Sequence, residues 1–276
     1  MSSPYLPAEL LDRIVDHLHD TKDALKSCGL VSPSWIPRTR THLFADIMFD
    51  SPYRLQSWKT TFPDPPSSPA GYARYLFIRL PLIVTAADAE VDGWISAFSN
   101  VVRFEVDIRL TPGTDLSTIS LVSFYGFSPI TKNFRVSLSA VPSSQVFDLI
   151  SSFPLLEDLS VNNHSRDRWI GSDGDFVWPQ DVAKPSKPPL FTGTLELSFE
   201  TGMDPVASWL LSAPGGLHFR ELHLEWKCEE DVPSTTALIE KCSSTLESLT
   251  IGWGFLGTFI RHLRLHWWLT NVQRNP

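Results

Sequence analysis

Long hydrophobic runs, cysteine and basic charge are what this sequence has least of. No stretch of about 18 consecutive apolar residues occurs, so no membrane-spanning helix is expected. There are 3 cysteines in 276 residues. Cys28, Cys228 and Cys242 are too few and too scattered for a disulfide framework. They read as reduced thiols of a cytoplasmic or nuclear protein. Lys and Arg total 23 against 31 Asp and Glu, a net charge of −8. An acidic chain with no basic run is poorly equipped to neutralise phosphates, so no nucleic-acid partner is expected. No membrane partner is expected either. The first 18 residues carry acids inside their apolar pattern and no basic segment, so they do not read as a signal peptide. Hydrophobic residues make up 42% and charged residues 20%, which is a globular composition. The length predicts one or two domains.

Catalytic and cofactor signatures are missing too. Gly252-x-Gly254-x-x-Gly257 follows a strand pattern and matches a dinucleotide fingerprint in form. The full site needs a second strand and an acid about 20 residues on, whereas the last acid here is Glu247. Around Asp173-Gly174-Asp175 the glycine is misplaced for an EF-hand, and Lys184 stands where its bidentate glutamate belongs. His262 and His266 lie four apart with no third ligand near. Cys228 and Cys242 form no CxxC pair, so a zinc knuckle fails. Neither a Gly-x-Ser-x-Gly elbow nor a P-loop occurs. No cofactor is expected, and the expected role is that of a non-catalytic binding protein.

Two things are abundant: 22 prolines and 10 tryptophans. The prolines recur along the chain as punctuation. The first forty residues read as three short helices. Residues 7–19 place Leu10, Leu11, Ile14, Val15 and Leu18 at helical spacing, with Pro7 in the first turn. A second helix is expected over 22–28, with Thr21 as a cap and Gly29 as a stop. A third begins near Ser32 and carries Trp35, with Pro33 in its first turn and Pro37 a kink or an end. So small a unit buries little surface alone and calls for a neighbour or a partner.

Leu6-Pro7-x-Glu9-Leu10-Leu11, Ile14, Leu18, Asp23-Ala24-Leu25, Cys28, Val31-Ser32 and Trp35 together resemble an F-box across residues 5–44. The resemblance implies docking to a Skp-type adaptor, and through it to a cullin-based SCF ubiquitin ligase. It makes Leu6, Pro7, Leu10, Ile14, Leu25 and Val31 adaptor contacts, and Trp35 either a contact or internal core. The basic residues that the family shows around its tryptophan are replaced here by Pro33-Ser34.

From residue 45 onward one pattern repeats: apolar-x-x-[Leu/Ile/Phe]-x-apolar. Its central positions are Ile47, Leu76, Phe104, Phe134, Leu159, Leu195, Leu222 and Leu249, spaced by 29, 28, 30, 25, 36, 27 and 27 residues. Each run alternates with the two-residue period of a strand. Helix-like segments fall between, at 89–98, 144–153, 205–211 and 235–242, while Pro63–Pro69 reads as a stiff spacer. Strands joined by such crossovers are parallel and right-handed. The repeat resembles a degenerate leucine-rich-repeat solenoid, though the polar residue that usually follows each strand is mostly absent. An ordinary α/β domain is the alternative.

The expected organisation is therefore α/β: a three-helix F-box-like domain over 1–44, then an irregular right-handed β-α solenoid over 45–276. The long spacing marks an insertion at 163–191. It is either a mobile loop or a partner-binding one, and Trp169 and Trp178 are unusual for plain linker. If the solenoid holds, its strand face is the default surface for a protein target of unknown identity. The candidates are Arg79, Glu105, Asp107, Arg135, Asp158, Asn162, Glu196, Glu200, His223 and Glu225. Tyr75, Phe77, Ser160 and Thr250 are expected outside with them. The later strands lean acidic and would suit a basic target segment. Residues 255–269, rich in Phe, Leu and Trp, read as a last helix packing on the final strand. They leave either a shortened chain or an end covered by a partner. The implied role is that of a substrate receptor in an SCF-type ligase. A repeat scaffold with a helical N-terminal cap is the alternative. The large F-box families of mushroom-forming fungi show a similar proline-punctuated, irregular type.

Overall fold

A computed structural model of the chain describes residues 7–80, 94–108, 121–138, 144–163, 189–200, 202–226, 229–253 and 263–265. Its N-terminal part is three helices: α1 (Ala8–His17), α2 (Lys22–Val31) and α3 (Ile36–Leu43). The Pro7 carbonyl accepts from the amides of Leu10 and Leu11 and starts α1. Thr21 makes no side-chain cap, and Gly29 does not stop α2, which runs on to Val31. The chain turns instead at Ser32, whose hydroxyl accepts from the Ser34 amide. Pro33 opens a 3-10 turn over Pro33–Trp35, and Pro37 sits in the first turn of α3, where its missing N–H is harmless. Val15, Leu25 and Cys28 are buried within this unit, and α3 packs on both α1 and α2.

The described residues that follow build a nine-stranded sheet in strict chain order. The strands are β1 (Asp46–Phe49), β2 (Tyr75–Leu80), β3 (Arg103–Ile108), β4 (Asn133–Leu138), β5 (Asp158–Asn163), β6 (Thr194–Phe199), β7 (Glu221–Trp226), β8 (Ser248–Trp253) and β9 (Leu263–Leu265). The first eight are parallel, so the fold is α/β with an open parallel sheet. Helices α4 (Pro52–Thr61), α5 (Ser144–Ser151), α6 (Asp204–Leu211) and α7 (Val232–Cys242) lie in the connections. Helix α4 was not foreseen: its hydrophobic pattern is weak, and it is held by the Ser51 cap and by Leu55. The spacer around Pro65 forms two 3-10 turns, Pro65–Ser67 and Pro69–Tyr72. Of the helical segment expected over 89–98, only residues 94–98 fall among those described.

Register follows the repeat. Ile47 pairs with Leu76, Leu76 with Phe104, then Phe134, Leu159, Leu195, Leu222 and Leu249 in turn. All eight are buried. The entry to each strand repeats as well. One carbonyl of the preceding unit accepts two consecutive amides: Ala45 takes Arg74 and Tyr75, Arg74 takes Val102 and Arg103, and Val102 takes Lys132 and Asn133. Lys132, Gly193 and Arg220 do the same further on. The pattern changes at one junction, between β5 and β6, where the long spacing falls. There the Asp158 carboxylate accepts the Thr194 amide at 2.6 Å in place of a carbonyl. Gly193 leaves room for this contact, since a Cβ there would meet the Asp158 carboxylate and oblige it to move.

The apolar face of the sheet and the inner faces of the connections form one core. Phe104, Phe134 and Phe153 pack in it with ring centroids 5.4 and 5.7 Å apart. On the other face, the described strand residues are at least partly exposed except for Phe77, Asp107, Ser160 and Gly252. A parallel sheet covered on both faces reads as continuous apolar runs; these strands alternate because one face alone enters the core.

The C-terminal expectation needs correction. Leu263–Leu265 is a strand, β9, antiparallel to β8, and not part of a helix. The unpaired edge of β8 offers a row of backbone donors and acceptors, and a Leu-Arg-Leu alternation satisfies it. His262 and His266 lie outside the described residues.

Replacing Phe134 with alanine is expected to cost about 3–5 kcal/mol, as for a fully buried aromatic. A fall in urea midpoint corresponding to less than about 1 kcal/mol would contradict its place at the centre of the row.

Candidate functional site

Two surfaces stand out. The first lies on the three-helix unit. Its apolar residues divide between two sides of α1. Val15 is buried, and Leu11 and Leu18 are half-buried. Leu10 and Ile14 are 46% and 43% exposed, and on α2 Leu30 and Val31 are 89% and 70% exposed. Pro7 is exposed as well, and Trp35 is half-buried. Leu25 corrects an expectation: it is fully buried, so it is internal core and has no surface to offer a partner. Leu6 lies outside the described residues. Leu30 was missed because α2 was expected to end at Gly29.

An ion-pair clamp fixes this unit. Asp16 on α1 receives two hydrogen bonds from Arg38, at 2.5 and 2.7 Å, and one from His42 Nε2 at 2.7 Å, both on α3. Those hydrogen bonds hold the Asp16 carboxyl well below the usual carboxylate range. The clamp joins the helix bearing Leu10 and Ile14 to the rest of the unit.

The second surface is the outward face of the sheet, where most of the expected target-binding residues meet. Tyr75 donates to Glu105 at 2.9 Å. Burial and the adjacent Glu105 carboxylate push the Tyr75 phenol up to about 12, so it remains a donor. Arg79 pairs with Asp107 at 3.0 Å and lies over the Phe77 ring. That pairing explains why Phe77 and Asp107 are buried where exposure was expected. Arg135 reaches across β5 to Glu196 at 2.9 Å, and Ser160 beneath donates to the same oxygen. This bridge covers Ser160, also expected to be exposed. Asn162 donates weakly to Ser160, and Ser198 donates to Glu225. Asn133 donates to Asp158. His223 stands 3.6 Å from Glu221. Glu200 follows the last residue of β6 and donates its amide to the Asn163 carbonyl. Trp169 and Trp178, with most of the 163–191 insertion, lie outside the described residues.

Side chains from β3 to β6 surround a groove of about 340 Å³, lined by Arg103, Asn133, Arg135, Asp158, Ser160, Thr194 and Glu196 among others. Arg103, Asn133, Thr194 and Glu221 escaped the sequence reading. Each stands immediately before the central inward residue of its strand. Tyr75 and Asp158 hold the same place and were recognised, so extending the alternation one residue back would have found them all.

Among the described residues, no group of three or more His, Cys, Asp or Glu is placed to hold a metal ion, and no helix is long and apolar enough to cross a membrane. Comparison with family models, with curated proteins and with solved structures found no match.

The Asp16 clamp predicts a pH dependence of definite sign. A carboxyl lowered on folding adds stability that is fully present above its unfolded pKa, near 3.8, and is lost as pH falls toward the folded value. Asp16→Asn is therefore expected to be less stable than wild type at pH 7, with the gap narrowing below about pH 4. Urea titrations of both proteins at pH 7 and pH 3 would measure this. An unchanged gap would mean that the ionised clamp is not what Asp16 contributes.

Proposed function

We propose that this protein is the substrate receptor of an SCF-type ubiquitin ligase. The three-helix unit serves as the F-box that docks a Skp-type adaptor. The sheet serves as a leucine-rich-repeat-like solenoid whose open face receives a protein target. The observation that carries the reading is the exposure of Leu10, Ile14, Leu30 and Val31 on a unit of three short helices. Large apolar side chains left 43–89% exposed on a unit this small call for a partner to cover them. Three of the positions that the F-box resemblance assigns to adaptor contact, Leu10, Ile14 and Val31, are among these four. The strict chain order of the strands and the single covered face support the solenoid half of the reading. Stacked repeats contact only their neighbours and leave an extended face for binding.

In this role the protein performs no chemistry. Holding a target near the ligase raises its effective concentration at the transfer site, and the ubiquitin-transfer steps belong to the other subunits. The F-box would fix one end of the receptor and the sheet face the target, with the clamp at Asp16 keeping α1 in a docking orientation.

One observation favours the scaffold reading. Helix α3 packs on the 3-10 turn at Pro69–Tyr72, as a cap on the first repeat would. The two readings separate on the outward side chains, which a cap does not need.

Co-expression with a Skp-type adaptor, followed by size exclusion, is expected to yield a one-to-one complex. Ile14→Asp and Leu30→Asp should each weaken it at least tenfold, in the range of about 1.4 kcal/mol or more for truncating a central apolar contact. Both positions are exposed, so the variants should stay folded by circular dichroism. A folded wild type that forms no complex would leave the three helices as a cap.

A further inference from the structure

The groove on the outward face owes its shape to side-chain size. Asn133, Ser160 and Thr194 are small, and the Arg135–Glu196 bridge stands beside them as a wall. Arg103 closes the β3 end. The other two arginines of this face on β2–β4 are each paired closely: Arg79 bonds Asp107 at 3.0 Å and Arg135 bonds Glu196 at 2.9 Å. Arg103 differs. It comes no nearer than 3.9 Å to Glu105 Oε2, and that oxygen already accepts from Tyr75. Its guanidinium lies over the Tyr75 ring, 5.1 Å from the centroid, and its side chain is 54% exposed. Held over the aromatic ring by cation–π attraction, a guanidinium with five N–H donors can still meet a carboxylate in bidentate fashion.

The far end has the opposite sign. Asp158 and Glu196 line it, with Glu196 bonded to Arg135 through one oxygen, Oε2; Glu221 and Glu225 continue the series, and no outward position of β5–β8 is lysine or arginine. Neighbouring strands lie about 4.8 Å apart, so Arg103 on β3 is roughly 10–14 Å from Asp158 on β5 and Glu196 on β6. An extended chain covers that distance in three or four residues at about 3.3 Å each.

We propose that this groove binds an extended peptide segment carrying one Asp or Glu and, three or four residues away, a Lys or Arg. The acid meets Arg103, and the base meets the Asp158–Glu196 end. A uniformly basic segment would set a cation against Arg103, and a uniformly acidic one would set charge against Glu196. A phosphoryl group brings a second negative charge toward Asp158 and Glu196, which favours the single carboxylate. The groove is open along the sheet face, which suits an extended chain better than an enclosed small molecule. The proposal rests on the receptor reading only in taking the segment to belong to a ubiquitination target.

The test is selection from a random 12-residue phage-display library on the full chain, wild type and Arg103→Glu. Wild type is expected to enrich the acid–base spacing, and Arg103→Glu to enrich a base where wild type takes the acid. Fluorescence anisotropy on the best wild-type peptide should show binding about tenfold weaker to Arg103→Glu. Exchanging the peptide's acid for lysine should restore it. No enrichment, enrichment without the charge pattern, or a pattern unmoved by Arg103→Glu would each overturn the proposal. So would a phosphoserine form that binds more tightly than the Glu form. Arg103→Ala, scored by the same anisotropy, substitutes if Arg103→Glu fails to fold by circular dichroism. Adaptor co-purification is scored separately: a chain that shows the charge swap without adaptor binding keeps the groove and loses the ligase reading. The reverse result removes the groove alone.

Discussion

One row of side chains, running from Ile47 through Phe104 and Phe134 to Leu249, holds the sheet together. Each member sits opposite the next across a parallel ladder, and every one is buried. Apolar surface withdrawn from water is the main force available to so irregular a chain. Because strand side chains alternate, placing this row inside obliges its flanking residues to face outward. The open polar face is thus a direct consequence of how the core is built. The helices follow from the same constraint, since each connection must return the chain to begin the next strand beside the last and cover the row as it does so.

The two surfaces answer to different physics. The outward sheet face is a lattice of cross-strand polar contacts, with Arg79–Asp107 and Arg135–Glu196 as its close ion pairs. Such pairs at partly exposed positions add little to stability, so their value lies in the shape and sign they give the face. The three-helix unit is the converse. Its inner core is small, with Val15, Leu25 and Cys28 at its centre, and four of its apolar side chains are left outside. The clamp of Asp16 with Arg38 and His42 adds a polar link between α1 and α3 to that packing.

The strands were legible in the sequence because their signal is local and repeated. All eight expected central residues lie in strands and in register. Helix boundaries were less so: Gly29 reads as a stop, but α2 runs two residues past it and takes in Leu30 and Val31. Helix α4 has too weak an apolar pattern to announce itself. The residues 255–269 show why composition misleads, since Leu263-Arg264-Leu265 satisfies a strand edge as readily as a helix face. Exposure on the sheet was legible by alternation but not by pairing. Nothing in the sequence says that Arg79 will cover Phe77, or that Arg135 will reach over β5 to Glu196, 61 residues on. Leu25 shows the limit of a resemblance: the motif supplied the position, and packing decided which way it faced.

The repeated strand entry, one carbonyl taking two amides of the next unit, also bears on inheritance. Each unit meets its neighbours through the same backbone geometry and the same apolar row. A gene that lost or duplicated one whole unit of about 28 codons would leave the flanking units with surfaces that still match. Loss of a single codon within a strand would instead turn every later residue of that strand to the wrong face. Descendants of this chain are thus free to vary in whole repeats, while their strands tolerate almost no slippage. At the β5–β6 junction, where the spacing is longest, the Asp158 carboxylate takes the amide that a carbonyl takes elsewhere, so a unit could be exchanged there only together with its aspartate.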